Sequence, residues 1–256
     1  MEKRWIVSLT SYPKCIRMAF DVIRSLEQQT KLPDKVVLYL SKEEFPEQKF
    51  APDVIPYTGK LDFMIRWVDG NLKPHKKYFY AFQEYRNDYV ITIDDDYYHP
   101  DHMIETFADR VINYPKAVLA RRAHLITKDR AGNIDSYQNW IHKCFTFIDE
   151  PRMDLIAIGC GACLYQPEFF IDEVFNLKMI KNYCLTTDDL WLKIMELLSN
   201  IPTVLVSDRL EYKEISHDGL YNMVNLNGGN DASWIKLWNF YNDYHGYKDI
   251  LLKLRT

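Results

Sequence analysis

Three consecutive aspartates, Asp94, Asp95 and Asp96, follow Tyr89–Ile93, an apolar run with the length of a buried strand. Adjacent carboxylates repel one another, and the run becomes favourable when a divalent cation lies among them. Oxygen ligands suit Mg²⁺ or Mn²⁺, which bind through one or two carboxylates together with substrate phosphates. Because side chains alternate along a strand, Asp94 and Asp96 should point to one side and Asp95 to the other. The alternatives are a solvated strand end that caps the next helix, or a calcium site.

A second acidic pair, Asp188-Asp189, follows Thr186-Thr187 and begins a segment with helical periodicity. The apolar face of this helix consists of Leu190, Ile194, Leu197 and Leu198. In one interpretation, a threonine cap and early acids simply stabilise the start of the helix. In the other, one aspartate is a general base that takes the proton of an attacking hydroxyl. The residues alone leave both interpretations open.

Glycines and basic pairs form further candidate sites. The turn Gly159-Cys160-Gly161-Ala162 could let backbone amides approach a ligand closely, or could be a bulge in a strand. Lys76 and Lys77 open a predicted helix, and Arg121-Arg122 follow a predicted strand. Either basic pair could meet the charge of a diphosphate or form a solvated face. His217 lies in the polar loop Ser216–Gly219, where it is either exposed or a metal ligand.

The elements that must position these residues alternate between strands and helices in the first half. Such repeats predict a parallel sheet with helices on both faces, and ligands bind beyond the carboxyl ends of its strands. Thr10-Ser11, Asp69 and Asp94–Asp96 all fall at that edge. The predicted strands are Trp5–Leu9, Lys35–Leu40, Met64–Val68, Tyr89–Ile93 and Ala117–Ala120, and the predicted helices are about Ile16–Gln29, Lys76–Tyr85 and Asp101–Asn113.

The second half is less regular, and we expect it to cover the sheet. Ala131–Asn133 indicates a hairpin turn between about His124 and Tyr137, and glycines interrupt the apolar segment Leu155–Tyr165. The remaining predicted elements are a helix at about Asp188–Ser199, a strand at Thr203–Val206 and a helix at about Asp231–Asp243.

Composition narrows the class of protein. The 256 residues are 47% apolar, enough for the core of one α/β domain, and the net charge of −4 comes without a basic block that would suit nucleic acid. No stretch approaches the roughly 18 apolar residues of a membrane span, and the N-terminus lacks the apolar core of a signal peptide. Five cysteines, an odd number, indicate reduced thiols. We therefore expect a cytoplasmic protein, with peripheral association at the inner face of the cell membrane as the alternative.

These motifs, in this order, resemble the GT-A glycosyltransferases, and within them the family-2-like enzymes of bacterial capsule and lipopolysaccharide assembly. The residues that carry the resemblance are Val7–Pro13, Ser25–Thr30 with Pro33–Val36, Asp94–Asp96, Gly159–Tyr165 and Thr187–Trp191. The resemblance implies an α/β fold of GT-A (Rossmann-like) type, in which helices flank a mostly parallel central sheet and a smaller region faces the acceptor. It implies one domain over residues 1–256, with a nucleotide-binding half (1–120) and an acceptor-binding half (121–256).

The resemblance also implies roles for individual residues. Asp94 and Asp96 match the Asp-x-Asp motif, the first facing ribose or a metal-bound water and the second binding Mn²⁺ or Mg²⁺, with His217 completing the metal site. Asp189 matches the catalytic base of inverting members, and Asp188 replaces the usual Glu, which leaves the choice of base between the two. The residues predicted to contact the nucleotide sugar are Thr10, Ser11, Tyr12, Asp69, Lys76, Lys77, Asp94, Asp95, Arg121 and Gly161.

The activity implied is the metal-dependent transfer of a hexosyl group from a nucleoside-diphosphate sugar, with a UDP-sugar favoured. The acceptor would be the hydroxyl of a saccharide or a lipid-linked saccharide, and an aspartate base would lead to inversion. The alternatives are a non-catalytic nucleotide-sugar or carbohydrate-binding protein and a metal-dependent nucleotidyltransferase. The latter predicts a glycine-rich loop after the first strand, and Thr10–Lys14 contains no glycine. Trp140 and Trp191 could form platforms under a sugar ring or belong to the core.

Overall fold

Apolar strands form a seven-stranded sheet at the centre of the protein. The structure is a computed structural model that describes residues 2–207, 213–215, 229–243 and 254. In chain order the strands are β1 (Trp5–Thr10), β2 (Lys35–Ser41), β3 (Phe63–Val68), β4 (Tyr89–Thr92), β5 (Tyr97–Tyr98), β6 (Val118–Ala120), β7 (Ala123–Leu125), β8 (Ile141–Cys144), β9 (Leu155–Ala157), β10 (Cys163–Tyr165), β11 (Thr203–Leu205) and β12 (Lys213–Glu214). The helices are α1 (Ile16–Ser25), α2 (Lys76–Glu84), α3 (Met103–Val111), α4 (Leu177–Met179), α5 (Asp188–Ser199) and α6 (Gly229–Asp243). The predicted strands of the first half are confirmed to within one or two residues of these bounds.

The order of the central sheet is β11-β6-β10-β4-β1-β2-β3. Strand β10 runs antiparallel to both of its neighbours, β4 and β6, and every other pairing in this sheet is parallel. The predicted α/β fold with a mostly parallel sheet is therefore confirmed. Strand β10 comes from the second half of the chain and lies between two strands of the first half, so both halves share one sheet.

Helices cover both faces of the sheet because the strands are apolar on both sides. On β1, Ile6 belongs to one core, whereas Val7 and Leu9 belong to the other, as the alternation of a strand requires. Helices α1 and α3 pack on the Val7 face, and α2, α5 and α6 pack on the Ile6 face. None of the helices in the described ranges combines the length and apolar composition that crossing a membrane needs.

Parallel connections bring the starts of two helices to the edge where the strands end. Helix α2 returns from β3 to β4, and α5 precedes β11, so both run against the strands and begin at their carboxyl edge. The reversed direction of β10 brings its amino end to the same edge, where Cys163 pairs with Thr92 and with Ala120. The turn Gly159–Gly161 therefore lies beside the ends of β4 and β6.

The second half differs in detail from the prediction. Residues 128–134 do form a tight turn, closed by a bridge between Lys128 and Ile134, because the Asp129 carboxylate accepts the amides of Ala131 and Asn133. Strand β7 does not pair across that turn; it lies between β8 and β9 in a separate three-stranded sheet. Helix α1 ends at Ser25, and its last turn, Leu26–Gln28, tightens to a 3-10 helix.

A fully buried polar group fixes α5 to the sheet. The Lys193 ammonium lies 2.9 Å from the Glu196 carboxylate, and the Thr203 hydroxyl of β11 donates to the same carboxylate at 2.9 Å. Both charged side chains are 1% exposed or less. An ion pair in such a position is costly to break, since removing one partner leaves a buried charge without compensation.

We expect Lys193→Met to lower the free energy of unfolding by about 3–5 kcal/mol, because Glu196 would be left unpaired. Urea denaturation followed by fluorescence measures this loss. The matched control is Arg17→Met, which removes an ion pair to Asp53 that is exposed on both sides and should cost less than about 1 kcal/mol. Equal losses in the two variants would contradict the anchoring of α5 by Lys193.

Candidate active site

The first loop after β1 supplies polar groups to the carboxyl edge. The Thr10 hydroxyl donates to the carbonyl of Tyr39 on β2 at 2.8 Å, and Ser11 is buried. Because β1 and β4 are neighbours, Ser11 lies near Asp95, and its hydroxyl acts to lower the pKa of that carboxyl. Tyr12 is half-buried beside Cys15.

Asp94 and Asp95 face different neighbours, as predicted, although β4 ends at Thr92, before the run begins. Asp94 faces α2, where its Oδ1 lies 2.6 Å from the Lys77 ammonium, whereas Asp95 faces Ser11. The carbonyl of Asp96 accepts the amide of Ile215 at 2.8 Å, next to the pairing of β12 with β5. The run is therefore held from both sides by backbone and side-chain contacts.

Negative charge accumulates around this run. Burial raises the pKa of Asp95 to about 7, although the hydrogen bond from Ser11 acts in the opposite direction. Burial, together with the charges of Asp94 and Asp95, raises the pKa of Asp96 to about 8. Both shifts indicate carboxylates that are shielded from water and lie beside other negative charges.

Lys77 joins the two acidic motifs. Its ammonium contacts Asp94 Oδ1 at 2.6 Å and Asp188 Oδ2 at 2.9 Å, and its side chain is only 4% exposed. The two carboxylates come from the end of β4 and the first turn of α5, so the sequence-distant pairs meet at one place.

The two aspartates of α5 have different surroundings. Asp188 is buried, and although burial alone opposes its ionisation, the adjacent Lys77 ammonium holds the pKa of Asp188 below its usual value. Asp189 is partly exposed, and its Oδ1 accepts the amide of Gly159 at 3.0 Å. Burial and the Asp188 charge raise the pKa of Asp189. Thr187 makes no side-chain capping hydrogen bond, so the predicted threonine cap is not formed by this residue.

The turn Gly159–Gly161 needs its glycines for close approach. A Cβ at Gly159 would lie 3.0 Å from the Lys77 Nζ and 3.3 Å from the Asp189 Oδ1. At Gly161 it would lie 2.3 Å from the Cβ of Arg122. Between them, the Cys160 sulfur contacts the Arg122 guanidinium at 2.8 Å, and all five cysteines of the chain are free thiols.

The remaining predicted contacts lie further from the aspartate run or already have partners. Asp69 is 89% exposed and pairs with Lys42 at 2.9 Å. Lys76 is buried, and its ammonium lies 2.7 Å from Glu44. Arg121 is buried and donates to the Thr106 hydroxyl at 3.1 Å. The nucleotide-binding roles of Asp69, Lys76, Arg121 and Gly161 stay predictions, and His217 lies outside the described residues.

Trp140 and Trp191 are core residues. Trp191 is completely buried and donates from its indole nitrogen to the Val174 carbonyl at 3.1 Å. Trp140 is also buried and donates to the Asp135 carbonyl at 3.0 Å. Since both faces of each ring are covered by protein, packing in the core explains them without a sugar.

In the parts of the chain that the structure describes, no group of three or more histidine, cysteine, aspartate or glutamate side chains is arranged to hold a metal ion unaided. Two features still suit a cation beside the aspartate run. Oδ2 of Asp95 is buried without a hydrogen-bond partner, and the pKa values of Asp95 and Asp96 are raised. Mg²⁺ commonly completes its coordination with water and substrate phosphates.

Two contacts escaped the sequence analysis. Lys77 was predicted to meet a diphosphate, and its two carboxylate partners were not foreseen. The sequence did contain an indication that Lys77 is buried, because it lies on the same face of α2 as the buried Ala81, one turn further along the helix. The Gly159 amide that contacts Asp189 carries no comparable signal, since a backbone donor looks the same in any sequence.

The α/β sheet with an acidic carboxyl edge has a counterpart among known families. The model of glycosyl transferase family 2 matches residues 21–175, more than half of the chain. The chain therefore belongs to glycosyl transferase family 2, whose activity is glycosyl transfer. A search of curated proteins finds no significant match.

Several solved structures are similar to this chain at low identity. TarS 1-349 of S. aureus in complex with UDP-GlcNAc is 13% identical with a TM-score of 0.51, over 98% of this chain and 71% of that chain. HddC from Yersinia pseudotuberculosis complexed with GMP-PN is 13% identical with a TM-score of 0.46, over 86% of this chain and 97% of that chain. UTP-bound UGPase from Acinetobacter baumannii is 9% identical with a TM-score of 0.46, over 99% of this chain and 100% of that chain.

The two glycines of the turn should respond differently to an added methyl group. We expect Gly161→Ala to lower the free energy of unfolding by about 1–3 kcal/mol, because the clash involves Arg122 close to its backbone, which cannot move away easily. Gly159→Ala meets only the ends of the Lys77 and Asp189 side chains, so it should lose little stability and disturb activity instead. Urea denaturation and a sugar-transfer assay on both variants separate the effects. Equal stability of the two would show that the turn does not depend on Gly161.

Proposed function

We propose that this protein transfers a hexosyl group from a nucleoside-diphosphate sugar to the hydroxyl of a saccharide or lipid-linked saccharide, with inversion and with a divalent metal ion. The observation that carries the proposal is the meeting of the two acidic motifs at Lys77, at the carboxyl edge of the sheet. Family membership supports glycosyl transfer, and the similarity to TarS in complex with UDP-GlcNAc supports a UDP-sugar as the donor. Capsule or lipopolysaccharide assembly is the corresponding biological setting.

On the donor side, the loop Thr10–Tyr12 and the aspartate run are neighbours across β1 and β4. Ser11 is buried near Asp95, which brings the polar loop after β1 and the aspartate run together on the side where we propose that the nucleotide binds. Asp69 lies three strands from the aspartate run, at the end of β3, where we propose that it faces the base.

The sequence assigns the metal ion to Asp94 and Asp96. We now propose that Asp96 and Asp95 would hold Mn²⁺ or Mg²⁺, with Asp94 beside them. The unpartnered oxygen of Asp95 and the raised pKa of Asp96 fit a cation there, whereas Asp94 already shares the Lys77 ammonium. A bound ion would neutralise charge on the departing nucleoside diphosphate. His217 remains our proposed further ligand, outside the described residues.

On the acceptor side, we propose Asp189 as the general base. Asp188 is buried and committed to Lys77, whereas Asp189 is partly exposed and fixed by the Gly159 amide. As the acceptor oxygen attacks the anomeric carbon, its proton would move to the Asp189 carboxylate, and the bond from that carbon to the diphosphate oxygen would break. Attack opposite to the leaving group inverts the anomeric configuration.

The metal assignment can be tested without turnover. MnCl₂ together with UDP should raise the thermal unfolding temperature of the wild type, since a ligand at 100 times its Kd adds about 2.7 kcal/mol to stability. Asp96→Asn should lose most of this shift, because it removes a ligand. Asp109→Asn, an exposed aspartate on α3, should keep it. A full shift in Asp96→Asn would exclude Asp96 as a ligand.

The base assignment predicts a loss of turnover without a loss of donor binding. Asp189→Asn should lower kcat by about 100- to 10,000-fold, because the amide cannot accept the proton. The Kd for UDP, measured by calorimetry, should stay close to that of the wild type. Transfer is followed as UDP release from a panel of UDP-sugars with saccharide acceptors, with Asp109→Asn again as the control. Wild-type kcat in Asp189→Asn would reject this residue as the base.

A further inference from the structure

The buried position of Lys77 limits the groups that its ammonium can contact. Its side chain is 4% exposed, and its ammonium lies between Asp94 and Asp188. Its backbone is also fixed, because the carbonyl of Lys77 accepts a hydrogen bond from the Ser8 hydroxyl on β1. The first turn of α2 is thus attached to the central strand at the place where the ammonium projects.

The two residues that precede Lys77 in the chain, His75 and Lys76, do not act as a second cation for Asp94 and Asp188. His75 is neutral, since burial lowers the pKa of His75 to about 4. Its Nε2 lies 2.7 Å from the Cys184 carbonyl, so the imidazole binds the backbone of the segment before α5. Lys76, the adjacent lysine, is turned to Glu44.

Gly159 adds a third connection. Its Cα lies close enough to the ammonium that an added Cβ would be 3.0 Å from the Lys77 Nζ, and its amide donates to Asp189 at 3.0 Å. The ammonium therefore contacts Asp188 directly, and the glycine turn beside it contacts Asp189. A shift of Lys77 would move Asp188 directly and Asp189 through the same helical turn.

We propose that Lys77 is a positioning residue, which sets the separation of the donor aspartates from the base by holding Asp94 and Asp188 on one ammonium. This inference rests on the proposed function, in which Asp94 belongs to the donor side and Asp189 is the base. It replaces our sequence-based interpretation of Lys77 as a diphosphate ligand. A diphosphate would have to displace either the partly exposed Asp94 or the buried Asp188 before it could reach this ammonium.

The two roles predict different consequences for Lys77→Met, which keeps an unbranched side chain of nearly the same length and removes its charge. As a positioning residue, its loss should lower kcat by about 100-fold, the effect of a misplacement of about 1 Å, while the Kd for UDP stays near that of the wild type. As a diphosphate ligand, its loss should instead weaken UDP binding by about 10-fold or more, the value of a lost charged hydrogen bond.

A double-mutant cycle with Asp188→Asn tests the contact itself. Lys77→Met leaves two carboxylates without their shared cation, and adding Asp188→Asn removes one of them. We expect the double variant to unfold at a higher temperature than Lys77→Met alone. Independent, additive effects on the unfolding temperature would overturn the proposal, as would a Lys77→Met variant whose main defect is in UDP binding.

Asp188→Asn alone provides the same test should Lys77→Met fail to fold. It releases α5 from the ammonium, so kcat should fall while UDP binding is retained. Unchanged kcat with tighter UDP binding would show instead that the freed ammonium serves the diphosphate. A wild-type protein that binds UDP but transfers no sugar would refute the proposed function alone, because the cycle on the unfolding temperature does not depend on turnover.

Discussion

One ammonium group keeps together two carboxylates that would otherwise repel each other. Asp94 and Asp188 both lie within 3 Å of the Lys77 Nζ; the Lys77 and Asp188 side chains are nearly closed to solvent, and that of Asp94 is 31% exposed. Two like charges about 4 Å apart cost about 4 kcal/mol at an effective dielectric constant near 20, a large part of the stability of a domain. The meeting of β4, α2 and α5 at this point therefore requires a cation, and the sheet topology supplies it from the first turn of α2.

Two further basic side chains near the carboxyl edge of the sheet have partners other than the aspartate run. Lys76 is taken by Glu44, and the Arg122 guanidinium lies against the Cys160 sulfur. Burial, followed by the charges of neighbouring aspartates, raises the pKa of Asp95 and Asp96. A site with this imbalance suits ligands that bring positive charge, which is why we propose a divalent ion at the aspartates and not at Lys77.

Much of the fold was predictable because it rests on local periodicity. The apolar runs of β1 to β4 and the helical spacing after Asp188 are readable in the sequence, and the parallel sheet then brings Ser11 and Asp95 to one edge. Strand β10 was not predictable, since three apolar residues after a glycine turn carry no sign of their direction. The partner of a buried charge is equally hidden. Lys76 and Lys77 are adjacent and identical in type. Only the packing of distant segments determines that Lys77 pairs with Asp94 and Lys76 with Glu44.

The place of β10 in the sheet has a consequence for synthesis of the chain. Strands β4 and β6 are made early, but they do not touch each other, because Cys163–Tyr165 must enter between them. A nascent chain that has emerged only as far as β6 therefore exposes an unpaired edge on β4, the strand that leads into the acidic run. Chains grow from the N-terminus at about 5–20 residues per second. The edge of β4 therefore stays unpaired for several seconds before β10 is synthesised. We expect the ribosome-bound intermediate to need shielding there, and the acidic edge to assemble only after the second half has emerged.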